Sequence, residues 1–134
     1  MIGVVDTSAL IRLFVPDGQL PADFERFLRG VERGLNMAIA PELLLAEAAS
    51  VINKKEKSGE LAKDESDRLL TDVLSLPIRL FPHLPILSRA FKLARIHNLT
   101  VYDTLYLALA EEHGAVIFTA DRKLLKIAVH LGLG

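Results

Sequence analysis

The stretch Met1-Ile2-Gly3-Val4-Val5-Asp6-Thr7-Ser8-Ala9-Leu10-Ile11-Arg12-Leu13-Phe14 sets the frame for the whole chain. A short β-branched apolar run stops at three residues that favour a helix N-cap, and an apolar-periodic segment follows, so the spacing predicts a buried strand running into a helix. The same succession recurs. Pro16-Asp17-Gly18 reads as a turn, and Pro21 suits the first turn of a helix over roughly Ala22–Arg33, with Phe24, Phe27, Leu28 and Val31 on one face and Arg26, Arg29 and Arg33 on another. Met37–Ala40 reads as a second strand, Pro41 as the start of a helix through about Lys57, and Ala62–Leu76 as a further helix. Ile78–Phe81 reads as a short strand, and Pro82 and Pro85 lead into a helix near Ile86–His97. Asp103 opens a largely apolar helix to His113, and Ala115–Phe118 is a strand that stops at Thr119-Ala120-Asp121 before a helix to about Val129. Strands alternating with helices predict an α/β fold whose mainly parallel sheet is covered on both faces.

Composition narrows the class. At 134 residues the chain fits one domain, and 51% hydrophobic with 25% charged residues excludes disordered and low-complexity classes. Without cysteine there is no disulfide scaffold, thiolate metal site or thiol nucleophile. Asp6 interrupts the first apolar run before a signal-peptide core forms, and no apolar stretch reaches the ~20 residues that span a bilayer, so a soluble cytoplasmic protein is expected. A mean hydropathy of +0.32 suggests apolar surface covered by another subunit or a partner.

Two of the strands end alike. Val4-Val5-Asp6 and Ile117-Phe118-Thr119-Ala120-Asp121 each deliver a carboxylate at or just past the carboxyl end, the edge where open parallel sheets bind ligands. Glu47 sits inside the apolar helix Leu43–Ile52 among Ala46, Ala48 and Ala49, where an unpaired buried carboxylate would cost several kcal/mol. The four histidines, His83, His97, His113 and His130, lack ligand spacing, so zinc is disfavoured and an oxygen-ligated divalent cation remains. Crowded carboxylates stay ionised at pH 7 when such a cation holds them, and Mg2+ or Mn2+ so held hydrolyses phosphodiesters through activated water.

The net charge is −1, with 17 acids and 16 bases; setting aside Asp6, Glu47, Asp103 and Asp121 leaves 13 acids and a balance of +3. A polyanion can dock on such a surface once a cation fills the acidic centre, with Arg26, Arg29, Arg33, Lys54, Lys55 and Lys57 as candidate phosphate contacts. Each feature also has a plainer reading. Asp6, Asp103 and Asp121 can be helix caps or first-turn acids, and Glu47 can pair with a buried base. Thr7, Ser8 and Thr119 are ordinary cap and turn residues, Glu42 suits a helix dipole, and the basic stripes are ordinarily solvated faces.

Four segments carry a resemblance: Val4–Leu10, Pro41–Val51, Tyr102–Ala110 and Thr119–Leu124, each holding its acid and in this order. They resemble the signature segments of PIN-domain ribonucleases, and in order, spacing and chain length those of the VapC toxins of toxin–antitoxin pairs. The resemblance spans essentially the whole chain. It implies a three-layer PIN-like fold, with Asp6, Glu47, Asp103 and Asp121 as metal-binding catalytic acids and with Thr7, Ser8 and Thr119 supporting the metal or its waters. It further implies a homodimer, Mg2+- or Mn2+-dependent cleavage of RNA, and inhibition by a small VapB antitoxin. Single-stranded or loop RNA is the expected substrate, since its backbone can reach a recessed site.

Competing chemistries lack their parts. No Gly-x-Gly-x-x-Gly follows a strand, no P-loop is present, and an aspartyl-nucleophile phosphotransferase would place a second acid where Ser8 stands. The alternatives kept open are a housekeeping RNA-processing PIN nuclease and a non-catalytic α/β domain that binds a partner.

Overall fold

The computed structural model describes residues 1–16 and 18–134, so the central residue of the expected Pro16–Gly18 turn lies outside the described residues. Four parallel strands, β1 (Ile2–Val5), β2 (Met37–Pro41), β3 (Ile78–Phe81) and β4 (Val116–Phe118), lie in the order β3-β2-β1-β4. Val4 pairs in register with Ile39 on one side and Ile117 on the other. The described residues also form seven α-helices, six between the strands and one after the last: α1 (Thr7–Phe14), α2 (Phe24–Glu32), α3 (Leu43–Lys57), α4 (Lys63–Leu74), α5 (Leu87–His97), α6 (Val101–His113) and α7 (Arg122–His130).

The chain steps from β1 to β2 to β3 in one direction and returns across the sheet to β4. Right-handed crossovers therefore put α1–α4 on one face and α5 and α6 on the other, the three-layer α/β arrangement the alternation predicts. Val4, Val5, Ile39 and Ala40 are fully buried between the layers, joined by Leu105, Leu107 and Leu109 of α6. Gly3 is required for this packing: a Cβ there would lie 2.6 Å from Phe27 and 2.7 Å from Phe118, whose rings stack 4.6 Å apart between centroids. Among the described residues no helix is long and apolar enough to cross a membrane.

Several boundaries differ from the sequence reading. The helix expected from Ala22 begins at Phe24, because Asp23 holds a left-handed φ of 64° that no right-handed helix accepts. Pro41 is the last residue of β2, opposite Phe81, so α3 starts at Leu43; Glu42 precedes it, exposed and without a side-chain capping bond. A short 3-10 turn over Leu84–Ile86 leads into α5. Asp103 does not open its helix: α6 begins at Val101, and Thr100 caps it by accepting from the Asp103 N–H at 3.2 Å. Leu133 reaches the sheet by one main-chain bond, accepting from Ile117 N–H at 2.7 Å, and no fifth strand forms among the described residues.

Candidate active site

Parallel strands deliver all their carboxyl ends to one edge, and the β1/β4 pair lies where the chain's crossovers diverge to opposite faces. At that edge a cleft of about 390 Å3 opens, and Asp6, Glu47, Asp103 and Asp121 all line it. The four acids come from four elements: the end of β1, the middle of α3, the first turn of α6 and the residue capping α7. Thr7, Ser8, Arg12 and Lys55 share the walls, with Ile11 and Val51 as apolar lining.

Asp6 is buried, 7% exposed, and stands at the N-cap position of α1, yet its side chain does not cap the helix. Its Oδ2 instead accepts from the Ser8 hydroxyl at 2.6 Å and the Thr119 hydroxyl at 2.7 Å. Ser8 Oγ in turn accepts from Ala120 N–H at 2.9 Å, and Thr119 Oγ1 from Asp121 N–H at 3.0 Å. These bonds lace the loop after β1 to the loop after β4, so two acids 115 positions apart in the sequence are fixed relative to each other. Burial pushes the Asp6 carboxyl above its ordinary value and Glu47 adds to the rise, while the two hydroxyls hold it back.

Glu47 projects from the same face of α3 as Val51 and Lys55, at intervals of one helical turn. It is half-buried rather than fully so, and none of the ion pairs Lys55–Glu60, Arg68–Asp64 and Arg89–Glu111 of the described residues includes it. Hydroxyls hold it instead: Oε1 accepts from Tyr106 at 2.6 Å and from Thr7 at 3.0 Å. Asp103 is half-buried; burial raises its pKa, with further rise from Asp121 and Asp6 against the lowering hydrogen bond from Thr100 and charge of Lys123. Asp121 is exposed and does cap α7, its Oδ1 accepting from Leu124 N–H at 3.0 Å.

The basic candidates divide. Lys55 reaches the cleft, bonded to Glu60 at 3.1 Å, while Lys54 and Lys57 are exposed and lie outside its lining. Arg26 lines a neighbouring groove. Helix α2 runs antiparallel to the strands: Phe24 packs on Phe118 at the carboxyl edge, whereas Leu35 meets Met1 at the amino edge. Arg33 therefore lies roughly 10 Å further along the helix than Arg26, away from the acids, with Arg29 between. The sequence reading missed two lining or supporting groups. Tyr106 is the one polar-tipped side chain in the run Leu105–Ala110, and Arg12 is the one base in α1, and both were legible as exceptions in apolar segments.

The donors here are carboxylates and hydroxyls, hard oxygen ligands that suit Mg2+ or Mn2+. Among the described residues no three His, Cys, Asp or Glu side chains are grouped closely enough to hold a metal ion by themselves. Mg2+ does not need such a group, since it keeps several waters and uses one or two carboxylates. Burial first of all, and repulsion from neighbouring carboxylates after it, raise Asp6 and Asp103, and a divalent cation between such carboxylates would favour their ionised forms, so the donor set fits such an ion.

A parallel α/β sheet with carboxylates gathered at its carboxyl edge places this cleft where open α/β sheets bind ligands. The chain belongs to the PIN domain family, which matches residues 3–130. Its relatives include Ribonuclease VapC3 of Pyrobaculum aerophilum, 32% identical over 123 residues covering 90% of each chain. Ribonuclease VapC12 of Mycobacterium tuberculosis is 32% identical over 90% of this chain and 88% of its own. Among solved structures, PAE2754 from Pyrobaculum aerophilum superposes with a TM-score of 0.69 at 26% identity over the full length of both chains. Mycobacterium tuberculosis VapC20, a toxin that cleaves the sarcin–ricin loop, shares the fold at a TM-score of 0.65 and 14% identity over 93% of this chain and 94% of its own.

Proposed function

We propose that this chain is a metal-dependent RNA endonuclease, the toxin of a VapBC-type pair, acting on single-stranded or loop RNA. The observation that carries the reading is the convergence of Asp6, Glu47, Asp103 and Asp121, from four separate elements, on one cleft. The names of the VapC relatives support the substrate class and a small VapB-type antitoxin as partner.

In this reading Asp6, Asp103 and Asp121 hold Mg2+ or Mn2+ with Glu47, and Ser8 and Thr119 fix Asp6 by donating to its Oδ2. Tyr106 and Thr7 hold the Glu47 carboxylate in the cleft. A bound divalent ion supplies an activated water and offsets charge on the leaving oxygen. A homodimer is part of the proposal, supported by the apolar face of α5, where Leu87 is 43% and Phe91 54% exposed.

Purified protein is incubated with a pool of structured and single-stranded RNAs and Mn2+, beside EDTA and Asp6→Asn controls. Cleavage that vanishes in both controls supports the proposal, and cleavage that survives Asp6→Asn sinks the assignment of the site. Light scattering at micromolar concentration is expected to give twice the 14.8 kDa chain mass.

A further inference from the structure

Arg12 is placed unlike the other bases of the surface. It lines the acidic cleft and also a second groove of about 580 Å3 between the end of α1 and the start of α2, and among the described residues no other lines both. Its guanidinium is held in position twice. Nη1 donates to the Gln19 carbonyl at 3.0 Å, and the backbone of Gly18 packs so closely that a Cβ there would lie 3.3 Å from Cζ and 3.4 Å from Nη1.

Four carboxylates line the same cleft, yet the ion pairs of the described residues involve Lys55, Arg68 and Arg89 and leave Arg12 out. A guanidinium has five N–H donors in a planar fork, so the Gln19 bond leaves most of them for another acceptor. That fork matches the paired oxygens of a phosphate, and a fork already held loses little freedom on binding. The far side of the groove carries Asp23 and Glu25 beside Arg26, so it is not a continuous basic track, and the grip on an anion is at the Arg12 end.

We propose that Arg12 binds the phosphate next to the scissile one, so that the RNA strand leaves the acidic cleft across Arg12 into this groove. The inference rests on the ribonuclease reading. It makes Arg12 a substrate-binding residue that sets the register of the strand against the acids.

The test uses the full chain carrying Asp6→Asn, which holds RNA uncut, and a fluorescent single-stranded RNA titrated across a range of salt with Mg2+ present. Adding Arg12→Ala is expected to weaken binding about tenfold and to flatten the slope of log K against log salt by about 0.7, the value for one phosphate on a single strand. Arg12→Lys recovers part of the affinity, since it restores the charge without the fork. Arg68→Ala removes an equal charge from the exposed surface of α4 and leaves the slope unchanged. Gly18→Ala crowds the guanidinium without removing it and weakens binding in the same direction. Where Arg12→Ala fails to fold, Arg12→Gln carries the measurement.

In cleavage assays with Asp6 intact, Arg12→Ala raises KM by a larger factor than it lowers kcat. Active protein whose Arg12→Ala form keeps the parent slope and KM overturns the role of Arg12 and leaves the ribonuclease reading standing. A chain that neither binds nor cuts RNA overturns both.

Discussion

The Tyr106 hydroxyl lies 2.6 Å from Glu47 Oε1 and joins two residues 59 positions apart. Thr7 Oγ1 lies 3.0 Å from the same carboxylate oxygen and 2.9 Å from the Tyr106 oxygen, so α1, α3 and α6 meet at one point. Burial and the Glu47 bond push the phenol pKa upward, which keeps Tyr106 a donor throughout the working pH range. Tyr106→Phe takes away that donor and leaves Glu47 with Thr7 alone. We expect a loss of about 1.5–3 kcal/mol in urea unfolding, typical of hydrogen bonds to charged groups. Activity should fall about 10–100-fold, as when outer-shell partners of a metal site are removed. Unchanged stability and activity would show that Thr7 suffices.

Asp6→Asn is expected to abolish cleavage while the fold survives. Both hydroxyl bonds go to the same oxygen, Oδ2, and an amide carbonyl can accept both in its place. The linkage has a definite sign. Burial, first of all, raises Asp6 and Asp103 above the ordinary 3.8, so the folded chain binds more protons than the unfolded one and stability falls as pH rises through the raised values. Glu111, lowered by Arg89, works the other way, but only below its ordinary 4.5. In EDTA the melting temperature should fall as pH rises through the raised Asp6 and Asp103 values, and it should fall less in Asp6→Asn. Saturating Mg2+ should flatten the parent curve, because binding to the folded form alone stabilises it. A parent curve that rises with pH in EDTA would rule this account out.

The parts of the fold that could be read from the sequence are those with local punctuation. Val4-Val5-Asp6 and Ile117-Phe118 followed by Thr119 and Asp121 announce strand ends within a few residues, and those strands do lie side by side. The start of α6 was misread because Thr100 and Asp103 are both cap-forming residues, and only the 3.2 Å bond between them shows which one caps. Tyr106 was passed over because its partner is remote in sequence; nothing near it in an aliphatic helix marks its hydroxyl as engaged. The arginine stripe of α2 shows another gap. Helical spacing puts Arg26, Arg29 and Arg33 on one face, but the direction of the helix across the sheet decides which end approaches the cleft, and that follows from topology.

Thr119, 1% exposed, donates to Asp6 Oδ2 at 2.7 Å while accepting from Asp121 N–H at 3.0 Å, so one hydroxyl holds two of the acids. Thr119→Val keeps the shape and removes the hydroxyl, which strands a main-chain N–H and deprives a buried carboxylate. We expect a cost of about 1–3 kcal/mol, with cleavage lost in larger proportion than stability. Thr119→Ser should restore most of both. Equal behaviour of the Val and Ser forms in unfolding and cleavage would show that the methyl packing matters and the hydroxyl does not.

Helix α3 carries Glu47 in its second turn, and its first turn is capped from outside. Glu42 makes no capping bond; instead the Leu43 N–H donates to His83 Nε2 at 3.0 Å, from the segment just after β3. Accepting that bond requires the ring nitrogen to be free of a proton, with any ring proton on the other nitrogen. The first N–H groups of a helix have no partner within it, so His83→Ala leaves one unsatisfied and should cost about 1 kcal/mol. Hydrogen exchange locates the effect: the Leu43 amide should exchange faster in His83→Ala, while the amides of β1 and β4 keep the rates set by global unfolding. Because a looser first turn lets Glu47 wander from Tyr106 and Thr7, cleavage should fall along with the local protection. A Leu43 amide that exchanges at the parent rate would mean that water satisfies it and that the histidine does not anchor α3.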